Sequence, residues 1–117
     1  MLFTEIIKEN KEFSRAYHRG RFVSGKFLTV YYLPNKLPYN RIGITTGKKI
    51  GNAVIRNRAR RIIRAAYRIN ETAFPIGYDM IFVARSDISD KKTCDIEAFI
   101  KTRLIKEMNR PQTKMKI

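Results

Sequence analysis

Apolar positions along the chain change period several times, and each change marks an element. Arg21-Phe22-Val23 forms a short extended piece that Ser24-Gly25 breaks, and Phe27 to Leu33 is a dense run of aromatic and branched residues that predicts a strand. On it Phe27, Thr29, Tyr31 and Leu33 point one way, and Leu28, Val30 and Tyr32 the other. Pro34 to Pro38 reads as a loop, because two prolines that close cannot sit within a paired strand. Arg41–Thr46 predicts a second strand, and Tyr78–Ala84, apolar almost throughout, an internal third. Three stretches carry helical spacing instead. Asn10 suits the N-cap of a short helix from Lys11 to about His18, with Phe13 and Tyr17 sharing a face and Gly20 as the stop. Ala53 to about Ile69 places Ile55, Ala59, Ile62, Ile63, Ala66 and Ile69 on one arc of about 120°. Thr93 suits the N-cap of a last helix whose buried stripe is Ile96, Phe99, Ile100, Leu104 and Met108, with Asp95 and Glu97 in its first turn. Arg85–Lys92 is polar loop. Residues 1–110 form one domain, and 111–117 a basic tail.

Charge changes this picture most. The 117 residues carry 25 Lys and Arg against 10 acids, a net charge of +15, and 14 of those cations lie between Glu12 and Glu71, where there is no acid at all. Such an excess repels itself in a compact chain unless an anionic partner neutralises it. Nucleic acid is the first candidate and an anionic membrane the second. The 44% hydrophobic fraction supports a folded domain. Cys94 and His18 each stand alone, which argues against a disulfide, a zinc cluster or a Ser-His-Asp arrangement. No apolar stretch approaches 18 residues, and the first residues lack a basic segment followed by an apolar one, so a reducing cytoplasm is the expected home.

The densest charge sits around the middle helix. From Lys48 to Arg68 there are eight cations and no acid. Arg56, Arg60, Arg64 and Arg68 follow one another at i+4 steps opposite the isoleucine arc, with Asn57 and Arg61 beside them and Arg58 at the far edge. Lys48 and Lys49 precede free helical N–H groups at Asn52 to Val54, a place suited to a phosphate. Gly43-Ile-Thr-Thr-Gly47-Lys48-Lys49 is not a Walker A loop: only three residues separate the glycines and no Ser or Thr follows the Lys. Phe13, Tyr17 and Tyr31 are either core residues or an open strip of rings beside the arginines. In the second case unpaired bases would stack on them while the cations track the backbone, which suits single-stranded RNA better than duplex DNA. Phe22 and Tyr32 are left open between core and surface. The apolar arc of the middle helix lacks Trp and Phe, which weakens the membrane alternative.

Lys48-Lys49-Ile50-Gly51-Asn52-Ala53-Val54-Ile55-Arg56-Asn57-Arg58-Ala59-Arg60-Arg61, continued by Ile62-Ile63-Arg64, resembles the RNR signature of the bacterial ribonuclease P protein subunit. Phe13, Tyr17, Gly20, the Phe27–Leu33 strand and Tyr78–Arg85 fall where that family has its aromatic helix and strands, so the likeness runs over residues 10–108. It implies an α/β sandwich of the α+β kind, ordered αβββαβα, with a mixed, mostly antiparallel sheet and a left-handed βαβ crossover, ribosomal protein S5 domain 2-like. It implies a subunit of an endoribonuclease that removes the 5′ leader of precursor tRNA, in which the RNA subunit catalyses hydrolysis with Mg²⁺ and the protein alone is inactive. The implied partners are ribonuclease P RNA and the precursor tRNA 5′ leader, with no membrane and no obligate protein partner. By position Lys48, Lys49, Asn52, Arg58 and Arg61 would contact the catalytic RNA. Phe13, Tyr17, Tyr31, Arg56, Asn57, Arg60 and Arg64 would border the leader. The residues themselves agree on one point: no cluster of carboxylates and no metal-ligand spacing equips the protein to hydrolyse a phosphodiester. A general RNA-binding ribosomal or RNA-chaperone protein is the alternative.

Overall fold

Two buried clusters on opposite faces of one sheet organise the fold in the computed structural model, which describes residues 4–110. The tail expected at 111–117 lies outside the described residues. In chain order the elements are β1 (Thr4–Ile6), α1 (Asn10–Arg19), β2 (Arg21–Ser24), β3 (Leu28–Pro34), β4 (Asn40–Thr45), α2 (Ala53–Asn70), β5 (Tyr78–Ala84), α3 (Thr93–Phe99) and α4 (Ile105–Met108). The five strands are arranged β1-β4-β5-β3-β2. β4 and β5, joined through α2, are parallel, as a helical crossover requires, and β1 adds parallel to β4. β3 pairs antiparallel with both β5 and β2. The result is a mixed sheet with helices on both faces, the α+β architecture expected.

Strand alternation sorts the side chains. Leu28, Val30, Tyr32, Ile42, Met80 and Phe82 face α2, α3 and α4 and form the main core with Ile63, Tyr67, Ile96, Ile100 and Leu104. Tyr31, Ile81 and Val83 face the other way, toward Phe13 and Ala16 of α1. α2 together with α3 and α4 therefore covers one face, and the ten-residue α1 covers the other only in part. Tyr32 is core; Phe22, 61% exposed, is surface.

Several expectations shift. Asn10 and Thr93 are the first helical residues rather than N-caps, positions taken by Glu9 and Lys92. At α3 the Asp95 carboxylate turns back to accept the Lys92 backbone N–H at 2.8 Å, so it acts in the cap from the third position. Ile69 is 60% exposed and Tyr67 fully buried in its place. The cause is Tyr67's packing against Phe74 and Phe82, which draws the buried arc at the C-terminal end of α2 away from Ile69. Pro34 is the last residue of β3, opposite Tyr78, where a missing N–H interrupts no ladder. The stretch expected as loop at 85–92 contains a 3₁₀ turn, Ser86–Asp90, that buries Ile88. A π turn at Ile100–Leu104 lies inside the last helical stretch. Its wider turn keeps Ile96, Ile100, Leu104 and Met108, spaced by four, on one face where an α-helix would let them drift by about 40° per step.

Strand β1 was not foreseen. Three residues carry no periodic signal, and the strand is held by register with β4 and by a relay in which the Tyr67 hydroxyl donates to Thr4 Oγ1 (2.8 Å) and Thr4 donates to Glu71 (2.6 Å). Burial pushes the Tyr67 phenol above its ordinary pKa.

Candidate nucleic-acid interface

Helix α2 begins from a backbone that calls for glycine at one position. Lys48–Ile50 form a 3₁₀ turn, and Gly51 follows at φ 149°, a conformation that side chains rarely adopt. Asn52 then caps the helix, its Oδ1 accepting the Ile55 N–H at 3.0 Å. The cap bond fixes the side chain with its amide Nδ2 donors available to a ligand. We expect Asn52→Ala to lower unfolding free energy by about 0.5–2 kcal/mol, read by urea denaturation. An unchanged midpoint would show that the cap carries no stability.

Cations along the helix fall into two groups. Arg61, Arg64 and Arg68 are exposed, and their side chains make no hydrogen bond or ion pair with other described residues. Lys48 and Lys49 are exposed as well. Arg56 donates to the Gly51 carbonyl at 3.2 Å, and Arg60 donates to Thr46 Oγ1 and to Asn57 Oδ1, so these two guanidiniums are aimed by neutral groups that leave their charge uncompensated. Arg58 differs. It donates to the carbonyls of Ser89 (3.4 Å) and Lys91 (2.6 Å), clasping the turn before α3, and much of its hydrogen-bonding capacity serves the fold. No arginine of α2 pairs with a carboxylate among the described residues.

On the α1 face, register places side chains in rows across the strands. Phe22, Tyr31, Ile81 and Gly43 form one row, and Ser24, Thr29, Val83 and Thr45 the next. Phe13 lies over Gly43, where a Cβ would come within 2.7 Å of its ring, so glycine lets the helix approach the sheet. Tyr17 meets Tyr31 edge-on at 5.0 Å, and Tyr31 meets Phe22 at 5.6 Å. Phe13 and Tyr31 are half-buried and Tyr17 is 40% exposed, so these rings line an open face rather than sit sealed in the core. The polar row leads from this face to the helix: Thr45 precedes Thr46, which receives Arg60.

Three features of the surface were not anticipated. Arg85, the residue that follows β5, donates Nε–H to Thr29 Oγ1 at 3.0 Å. Together with Lys26, Lys48 and Lys49 it borders a depression of about 780 Å³ at the C-terminal ends of β4 and β5, whose lining contains no acid. Lys26 and Arg85 are isolated cations in sequence, and only the sheet order brings them to the Lys48-Lys49 pair. Arg41 behaves oppositely to the other cations of the acid-free span. It donates Nε–H and Nη2–H to the two oxygens of Asp79, each at 2.8 Å, and Nη1–H to Glu12. The Asp79 hydrogen bond is the largest cause holding its pKa above the ordinary arginine value. Among the described residues no group of three or more His, Cys, Asp or Glu could hold a metal ion, and no helix is long and apolar enough to cross a membrane.

Chemically, this arrangement holds a polyanion along a helix and offers flat apolar surface to bases. The family model for Ribonuclease P matches residues 2–109. The "Ribonuclease P protein component" of Pelotomaculum thermopropionicum is 41% identical over 94% of this chain and 99% of that one. That of Clostridioides difficile is 40% identical over 84% of this chain and 87% of its own. Among solved structures, the RNase P protein of Staphylococcus aureus superposes with a TM-score of 0.78 at 33% identity, covering 90% of this chain and 97% of that one. The RNase P protein of Thermotoga maritima, at 22% identity, shares the fold with a TM-score of 0.76 over 93% of this chain and 99% of its own.

Proposed function

We infer the function from one premise: the chain belongs to the ribonuclease P protein family. On that premise it is the protein component that joins ribonuclease P RNA, binds the 5′ leader of precursor tRNA and so promotes maturation of the tRNA 5′ end in the cytoplasm. The single observation that carries this reading is the pairing of uncompensated guanidiniums on α2 with a half-covered, ring-lined sheet face. Phosphates track the cations; unpaired bases lie on the rings.

Within this reading Lys48, Lys49 and Arg61 stand at the surface that meets the catalytic RNA, joined by the Asn52 amide and whatever donor capacity Arg58 retains. Arg56, Asn57, Arg60 and Arg64 border the leader, whose bases reach Tyr31, Tyr17 and Phe13. Hydrolysis belongs to the RNA subunit with Mg²⁺. Beside it, the protein's own part is electrostatic and positional: it neutralises repulsion between two RNAs and holds the leader extended.

The test is reconstitution. Adding this protein to a bacterial ribonuclease P RNA should increase cleavage of precursor tRNA at low Mg²⁺. Absence of stimulation overturns the reading. Binding to many RNAs with no effect on cleavage would point to an RNA chaperone instead, and partition onto anionic vesicles to a membrane role.

A further inference from the structure

We propose that Phe22 is a further stacking residue that extends the leader-binding face across the sheet to its β2 edge by one base. The proposal rests on the leader-binding reading above and deepens it.

Phe22 packs one side of its ring against Tyr31 and leaves most of its surface open. It stands on β2, the outermost strand, and is 61% exposed. Its register partner is Tyr31, and their rings meet at 5.6 Å with a 41° tilt. Because neighbours across a register pair point to the same face, Phe22 continues the row that already contains Tyr31, Ile81 and Gly43. Tyr17, Tyr31 and Phe22 are thus consecutive rings, at centroid spacings of 5.0 and 5.6 Å, ending at the sheet's edge. Flanking the rings runs the hydroxyl row, where Ser24 Oγ and Thr29 Oγ1 lie 3.0 Å apart and Arg85 approaches Thr29. Exposed aromatic surface next to hydrogen-bonding groups and a cation is what successive unpaired nucleotides require. An edge strand otherwise avoids large apolar side chains, since they invite pairing with other chains. A single-stranded RNA lying across β5, β3 and β2 would cover this ring.

The experiment uses the assembled enzyme, protein with ribonuclease P RNA, and precursor tRNAs whose leaders lengthen one nucleotide at a time. With the unaltered protein, affinity should rise with leader length and then level off. Phe22→Ala should leave short-leader substrates unaffected, level off one nucleotide sooner, and weaken long-leader binding about 5- to 150-fold. Phe22→Leu keeps apolar cover over Tyr31 but removes the flat π face, and should behave like Phe22→Ala. Phe22→Trp should retain or strengthen long-leader binding. Because the side chain is exposed, none of these changes should move the melting temperature by more than a few degrees. Tyr31→Ala is the control for the underlying reading. If Tyr31→Ala removes leader dependence while Phe22→Ala leaves the length profile unchanged, the extension to β2 is wrong and the leader face stands. If neither variant alters the profile, the leader reading itself fails. Equal loss at every leader length, or a Phe22→Leu variant equal to the unaltered protein, would make Phe22 a cover for Tyr31 and overturn the proposal.

Discussion

Replacing Arg56, Arg60, Arg61 and Arg64 together by glutamine should weaken binding to ribonuclease P RNA loaded with precursor tRNA about 10²- to 10³-fold at 0.15 M salt. Arg61 loses a contact to the catalytic RNA, and the other three their contacts to the leader. If six to eight cations meet phosphates, log affinity should fall against log salt with a slope of about −4 to −7. Removing four contacts should flatten that slope by about 3. Extrapolated to 1 M, where counterion release no longer favours binding, the variant and the parent should converge. The difference at 0.15 M then follows from a slope change of about 3 over about 0.8 log units of salt. Glutamine keeps helix propensity and some donor capacity, so the loss reads charge rather than folding. Stability should hold, because none of these arginines gives up a carboxylate partner among the described residues. Only the bonds of Arg56 to Gly51 and of Arg60 to Thr46 and Asn57 are put at risk. A variant with weakened binding but an unchanged salt slope would place the guanidiniums away from phosphates and remove the electrostatic basis of the proposed function.

The legible parts of the fold were those specified by local pattern. The bounds of β5 match the sequence reading, and α2 extends it by a single residue, because dense apolar runs and a repeated i+4 stripe leave few alternatives. The stripe Ile96, Phe99, Ile100, Leu104 and Met108 was also legible, although the π turn that keeps it aligned was not. What the sequence hid is what distant segments decide. Strand β1 exists through its parallel neighbour, 36 positions on, and through the Thr4–Tyr67–Glu71 relay, over separations of more than sixty residues. Ile69 loses its place in the core because Phe74 and Phe82 favour Tyr67. In the candidate site, the arginine stripe followed from the helix period. Periodicity left Phe13, Tyr17 and Tyr31 open between core and surface, because how far α1 covers the sheet is a tertiary matter. Arg58's clasp on the 89–91 carbonyls was not legible either, and neither was the meeting of Lys26 and Arg85 with Lys48 and Lys49. Net charge alone treats all cations of the acid-free span alike, and Arg41 shows why it cannot distinguish them: its acids lie 29 and 38 positions away.

Arg41→Met should unfold this protein more readily by about 2–4 kcal/mol, measured by urea denaturation. The reasoning starts from Asp79, which is 2% exposed and receives two hydrogen bonds from Arg41 and one from Asn35 at 2.9 Å. Methionine fills the space of the arginine stem but leaves a buried carboxylate without its cation, a loss of about 3–5 kcal/mol for a fully buried pair. Asn35 still donates to Asp79, and the Arg41 side chain is 17% exposed, so the expected figure is somewhat smaller. Asp79→Asn added to Arg41→Met removes the orphaned charge and should recover a large part of the loss. The same arginine reaches Glu12 in α1, so it ties that helix to the sheet one residue before Phe13. Loss of Arg41 should therefore also loosen Phe13 over Gly43 and weaken leader binding, even at temperatures where the variant is folded. Glu12→Gln isolates this second effect: Asp79 keeps its partner, stability should fall by about 1 kcal/mol or less, and leader binding should fall with it. If Arg41→Met costs less than about 1 kcal/mol and the double variant recovers nothing, then Arg41 is one more cation available to RNA rather than one the fold retains for itself.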